Sequence, residues 1–135
     1  MDKLRILAVD DTPLNLQLIK QILGEDYQLV FSTNGEKALE LAAQNPPDLI
    51  LLDIRMPGMD GFEVCRRIKG TSETRHIPVL FISATDFDED INAGFDAGAD
   101  DFVLKPINPL LLRRRVATYL RLSGKTPKTD NVTLY

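Results

Sequence analysis

Five short apolar runs, each followed by an amphipathic stretch of helical period, constrain this chain more than any other feature. The runs are Leu4–Val9, Tyr27–Ser32, Leu49–Asp53, Ile77–Ser83 and Asp101–Leu104; helical patterns occupy Leu14–Leu23, Glu36–Gln44, Phe62–Lys69, Asp88–Ala97 and Leu110–Leu122. Strict alternation of strand and helix predicts an α/β domain whose parallel sheet is covered on both faces. Leu49-Ile50-Leu51-Leu52 and Val79-Leu80-Phe81-Ile82 are continuously apolar, as central strands buried on both sides require. The more mixed Tyr27–Ser32 run suits an edge.

Helix starts carry their own signals. Thr12 before Pro13 suits an N-cap with proline at the first helical position, and Thr33-Asn34-Gly35-Glu36 has capping-box spacing. In the first helix Leu14, Leu18 and Ile22 form a stripe that Leu16, Ile19 and Leu23 broaden toward the sheet. The fourth helix is the weakest: Asn92 and Gly94 lower its propensity, and Ile91 and Phe95 are its main apolar anchors. A marginal helix of this kind is a candidate moving part. Residues 3–122 form one domain by this reading, and Ser123–Tyr135, without apolar periodicity, reads as a tail or the start of a linker.

Composition narrows the function. A chain of 135 residues is about one domain. Its net charge of −4 argues against general binding to nucleic acid or to membrane surfaces, both of which need concentrated positive charge. Cys65 is the single cysteine, set in a helical pattern, and reads as a packed apolar residue. No apolar run is long enough to span a bilayer, so the expectation is a soluble, cytoplasmic protein. His76, the single histidine, precedes the fourth strand and reads as a surface loop residue.

In an open parallel sheet, ligands sit beyond the carboxyl ends of the strands. There the first strand presents Asp10-Asp11, the third Asp53, the fourth Ser83-Ala84-Thr85, and the fifth Lys105-Pro106. Carboxylates about 5 Å apart repel by roughly 3 kcal/mol per pair at an effective dielectric of 20. Such a cluster raises a pKa or recruits a cation. Its ligands are all oxygens, which favours Mg²⁺ (or Mn²⁺) over zinc or copper. Lys105 offers a compact positive charge to a phosphoryl oxygen and Ser83 a donor. The set meets the needs of phosphoryl transfer to a carboxylate, with Asp53 on the central strand as nucleophile.

These residues closely resemble the receiver domain of bacterial two-component response regulators. The resemblance rests on Val9-Asp10-Asp11, on the run Leu51-Leu52-Asp53-Ile54-Arg55-Met56-Pro57-Gly58-Met59-Asp60-Gly61, on Ser83-Ala84 and on Lys105-Pro106. It implies a flavodoxin-like, doubly wound sheet of order 2-1-3-4-5. It implies that Asp53 accepts phosphate from a histidine kinase, a phosphotransfer protein or a small donor such as acetyl phosphate. Asp11 would bind Mg²⁺ directly, Asp10 largely through water, with Asp53 and the Arg55 backbone carbonyl as further ligands. Ser83 and Lys105 would contact the phosphoryl group, and the Lys105-Pro106 bond would be cis, a form only X-Pro adopts cheaply. Phe102 would be the aromatic switch paired with Ser83; Ser83 and Phe102 stand where the family also uses Thr and Tyr. Arg55 and Thr85 would flank the pocket and tune the lifetime of the acyl phosphate. Beyond catalysing its own phosphorylation and dephosphorylation, such a domain is not an enzyme.

The resemblance also implies an output surface on the fourth helix, fifth strand and fifth helix. Asp96, Asp100, Asp101, Arg113, Arg114 and Arg115 fall there and could pair across a two-fold axis in a homodimer. The downstream effector would be a protein or a further domain, and the chain fits both a free-standing receiver and one cut from a longer protein. Three other classes compete. A flavin- or nucleotide-binding protein on the same fold needs a phosphate-cradling loop where this chain has Asp10-Asp11. An aspartyl phosphatase needs a different acidic spacing and a cap insertion. An inert interaction module would not need Asp10, Asp11, Asp53, Ser83 and Lys105 together.

Overall fold

The computed structural model describes residues 3–84 and 88–125. Its elements follow in the order β1 (Arg5–Val9), α1 (Pro13–Leu23), β2 (Gln28–Ser32), α2 (Gly35–Gln44), β3 (Leu49–Asp53), α3 (Gly61–Gly70), β4 (Val79–Ser83), α4 (Asp88–Asp96), β5 (Asp101–Leu104) and α5 (Pro109–Leu122). The five strands pair in parallel in the order β2-β1-β3-β4-β5. This is the doubly wound arrangement expected from the alternating pattern, with the mixed strand β2 at one edge.

The period-two geometry of β1 divides the core. Ile6 and Ala8 face one side of the sheet, where Leu16, Ile19, Ile22 and Leu23 of α1 and Leu112, Val116 and Leu120 of α5 cover Leu49, Leu51, Leu80 and Ile82. Leu7 and Val9 face the other, where Ala38 and Ala42 of α2 and Val64, Cys65 and Ile68 of α3 cover Ile50, Leu52, Val79 and Phe81. Every residue of β3 and β4 is buried, which accounts for their uninterrupted apolar sequences.

The helix termini correct two expectations. Asn34, not Thr33, caps α2, its side chain accepting from the Lys37 N–H; Lys37 stands where a capping box would need a carboxylate. Thr12 does hold the N-cap position of α1, but its side chain makes no cap bond, and its N–H donates to Asp10 instead. The apolar stripe of α1 is also rotated from the expected one. Leu14 is exposed and Leu18 only partly buried, while Leu16, Ile19, Ile22 and Leu23 make the buried face.

Two helices end in the same way. Gly98 and Gly124 adopt φ of 103° and 80°, and the following N–H groups return to Gly94 and Leu120, closing Schellman-type turns. Through the second turn the folded chain continues past Leu122 to Lys125, whose ammonium pairs with Asp48. The rest of the expected tail, 126–135, lies outside the described residues, as does Thr85. No helix among the described residues is long and apolar enough to cross a membrane.

Candidate functional site

Strand register builds the site. Val9 lies opposite Leu52, so Asp10 and Asp53 come next on neighbouring strands, at the point where strand order reverses. Asp53 opposes Ile82 and Ser83 opposes Leu104, which brings Ser83 and then Lys105 to the same rim. The Lys105–Pro106 peptide is cis, and the Lys105 N–H donates to the Ser83 carbonyl at 2.7 Å.

Asp10 and Asp53 are 2% and 7% exposed, whereas Asp11 stands in solvent. One carboxylate oxygen from each of Asp10, Asp11 and Asp53 lies within 4.8 Å of the others. The Lys105 ammonium lies between two of them, 3.4 Å from Asp10 and 3.6 Å from Asp53. Burial first, then the charge of Asp10, push the Asp53 carboxyl up to about 6; Lys105 and the Arg55 backbone N–H oppose that rise, while Asp11 adds to it. One ammonium therefore does not neutralise the cluster. The donor set is all oxygen, open on the Asp11 side, and fits a hard divalent cation such as Mg²⁺.

Asn15 was not singled out by sequence. Its side-chain amide donates to both oxygens of Asp10, at 3.3 and 3.1 Å, and the Thr12 N–H adds a third bond at 2.9 Å. These donors fix the carboxylate in the cluster. The signal was only a polar residue in the first turn of α1, and nothing in its spacing distinguished it from Gln17. Gly61 was read as part of a motif, but its role is steric: a Cβ there would lie 2.2 Å from the Asp53 carbonyl oxygen.

A cleft of about 370 Å³ opens beside Asp53, lined by Arg55, Ser83, Asp90 and Lys105 among others. The Arg55 guanidinium reaches across it to Asp90 of α4 at 2.7 Å. Phe102 lies farther along β5, half-buried, its ring centroid 5.4 Å from that of Phe81 and 5.3 Å from that of Phe95. Gly94 of α4 leaves the space for it, since a Cβ at that position would meet Phe102 Cζ at 2.3 Å.

The response regulator receiver domain model matches residues 6–117, most of the chain. The chain belongs to that family. Among its relatives, the response regulator PleD of Caulobacter vibrioides is 46% identical over 118 residues, covering 87% of this receiver and 26% of PleD. A probable cyclic di-GMP phosphodiesterase of Vibrio cholerae is 46% identical over 116 residues, covering 86% of the receiver and 26% of that protein. The receiver thus spans about a quarter of these relatives. A putative response regulator from Chloroflexus aurantiacus superposes with a TM-score of 0.84 at 32% identity, covering 90% of this chain and 99% of that one. The receiver domain of the sensor histidine kinase PA1611 from Pseudomonas aeruginosa superposes at 0.82 with 27% identity, covering 90% and 99%; that structure holds magnesium in its active-site cleft.

The remaining expected residues divide. His76 is exposed in the loop before β4, and Cys65 is buried in α3 with its thiol pushed up to about 11 by burial. On the expected output face, Asp101 pairs with Arg115 within the chain and accepts from the Tyr119 hydroxyl. Asp100 is held by Lys69 and by the Val79 N–H, and Arg113 donates to the Ile22 carbonyl. Asp96 and Arg114 stand exposed.

Proposed function

We propose that this receiver is the phosphoacceptor of a two-component phosphorelay, with Asp53 as the residue phosphorylated. The observation that carries the reading is the placing of the Lys105 ammonium between the buried carboxylates of Asp10 and Asp53. That rim combines a nucleophile, a fixed cation and acidic ligands, as phosphoryl transfer to a carboxylate requires.

In the transfer, an Asp53 carboxylate oxygen bonds to phosphorus as the bond from phosphorus to the donor breaks. That donor is the imidazole nitrogen of a phosphohistidine on a histidine kinase or phosphotransfer protein, or the acyl oxygen of acetyl phosphate. The leaving group keeps the electron pair; an imidazole takes up a proton as it leaves, whereas acetate departs as the anion. Lys105 shifts its ammonium from the carboxylates to a phosphoryl oxygen, and the Ser83 hydroxyl donates to another. Asp10, Asp11, Asp53 and the Arg55 carbonyl would hold Mg²⁺ (or Mn²⁺), which when bound neutralises charge on the phosphoryl oxygens. Asn15 keeps Asp10 aimed at the cluster. The same residues in reverse, with water as acceptor, return Asp53 to its free form, so the chain turns over no separate substrate.

Movement of Ser83 toward the phosphoryl group makes room beside β5, and Phe102 answers it, altering the face of α4, β5 and α5. That face would engage an effector protein, a further domain or a second copy of the chain; Phe95 and Leu104 are exposed on it beside Asp96 and Arg114. The test is incubation with acetyl phosphate and Mg²⁺ followed by intact-mass measurement. One phosphoryl group is expected on the wild type and none on Asp53→Asn; an equal gain on both rejects the proposal.

A further inference from the structure

An ion pair ties the loop after β3 to the start of α4 across the cleft: Arg55 Nη2 lies 2.7 Å from Asp90 Oδ1. The two residues are 35 apart in sequence, and both line the cleft that also contains Asp53, Ser83 and Lys105. An anion entering that cleft therefore arrives beside a guanidinium already engaged elsewhere.

We propose that the Arg55–Asp90 pair is an anion-responsive clasp: a phosphoryl group on Asp53 draws Arg55 away from Asp90 and so unties α4 from the phosphoacceptor loop. The inference rests on Asp53 being the phosphoacceptor.

Three observations carry it. The pair is asymmetric, with the Arg55 side chain 70% exposed and that of Asp90 16%. The guanidinium is free to swing, whereas Asp90 stays with its helix. Exposed pairs of this kind are weak, while a phosphoryl group offers a larger charge and three oxygens that suit the planar fork of arginine. Arg55 also cannot drift from the site, because it follows Asp53 by two residues and lines the same cleft.

The third observation is the weak anchorage of α4 itself. Phe95 is 47% exposed, Asn92 and Gly94 oppose helix formation, and Gly94 is notched around the Phe102 ring. A lateral ion pair has leverage on a helix of such weak propensity. The clasp thus connects charge in the cleft to the helix whose far end meets Phe102.

The initial rate of phosphorylation by acetyl phosphate with Mg²⁺, read by intact mass on the whole chain, tests this in a double-mutant cycle. Asp90→Asn releases Arg55 toward the cleft and is expected to raise the rate about twofold to fivefold, the range an exposed charge pair commands. The gain should vanish in an Arg55→Gln background and shrink at about 0.5 M salt, where screening is strong. Amides of α4 should exchange with deuterium faster in Asp90→Asn and in the phosphorylated wild type than in the unphosphorylated wild type. An Asp90→Asn effect that is absent, or equal in both backgrounds, overturns the clasp and leaves the phosphoacceptor reading standing. A wild type that gains no phosphoryl group overturns both.

Discussion

The first residue of α3, Gly61, is seated against the carbonyl of Asp53: its N–H donates to the Ile54 oxygen at 2.8 Å, and a side chain on it would fall 2.2 Å from the Asp53 oxygen. Helix α3 therefore begins on the backbone of the residue proposed to carry the phosphoryl group. Gly61 owes its place to this approach, since it has no positive φ. The Asp60 side chain caps the same helix through the Glu63 N–H, so cap and contact act on consecutive residues.

Gly61→Ala is accordingly expected to destabilise the domain by about 1–3 kcal/mol, the usual cost of overpacking, and to slow phosphorylation by displacing Asp53. Denaturant unfolding and the phosphorylation rate check both. A variant of wild-type stability would mean that the loop yields without strain.

Asp53→Asn should stabilise the domain in chelator at neutral pH. The folded carboxyl, raised from 3.8 to about 6, binds more protons than the unfolded one between those values, so stability falls as pH rises through that window. At about 1.4 kcal/mol per unit, removing the charge recovers roughly 1–3 kcal/mol above pH 6. Thermal unfolding of both proteins at pH 4 and pH 7.5 should show the difference only at the higher pH. Added Mg²⁺ should narrow it, because the cation stabilises the wild-type cluster by binding the native state.

Asn15→Ala is expected to weaken Mg²⁺ binding about tenfold, as loss of a residue that orients a metal ligand commonly does. Titration calorimetry on the unphosphorylated protein reads this without any chemistry at Asp53. Unchanged affinity would show that Thr12 and Lys105 alone suffice to hold Asp10.

Gly94→Ala sets helix propensity against packing. Alanine should favour α4 by about 1 kcal/mol, but its Cβ would meet the Phe102 ring at 2.3 and 2.8 Å. The single variant is expected to be destabilised, and the same change in a Phe102→Ala background to be stabilising. Equal effects in both backgrounds would detach Gly94 from Phe102.

Much of this was legible in the chain. The parallel sheet and the convergence of Asp10, Asp11, Asp53, Ser83 and Lys105 followed from apolar runs whose last residues are polar, because a parallel sheet sends every strand end to one rim; the strand order came from the family resemblance. Most of the misses are contacts whose partners depend on how helices and loops are set against one another. Asn15 is one of several polar residues in α1, and only the angle of that helix turns it onto Asp10. Arg55 and Asp90 meet because α4 packs beside the β3–α3 loop, which no periodicity encodes. Asn34 displaced Thr33 as a cap through a one-residue difference in where α2 begins. On the output face, Asp101 and Arg115 were read as available charges, yet β5 and α5 lie close enough for them to pair with each other.

The account stands most directly on where the phosphoryl group goes. After treatment with acetyl phosphate and Mg²⁺, reduction with borohydride converts an aspartyl phosphate to homoserine, which peptide sequencing by mass spectrometry locates. The account predicts homoserine at position 53, dependent on Mg²⁺ and lost in Lys105→Ala. Modification at another residue, or at Asp53 regardless of cation and lysine, would contradict it.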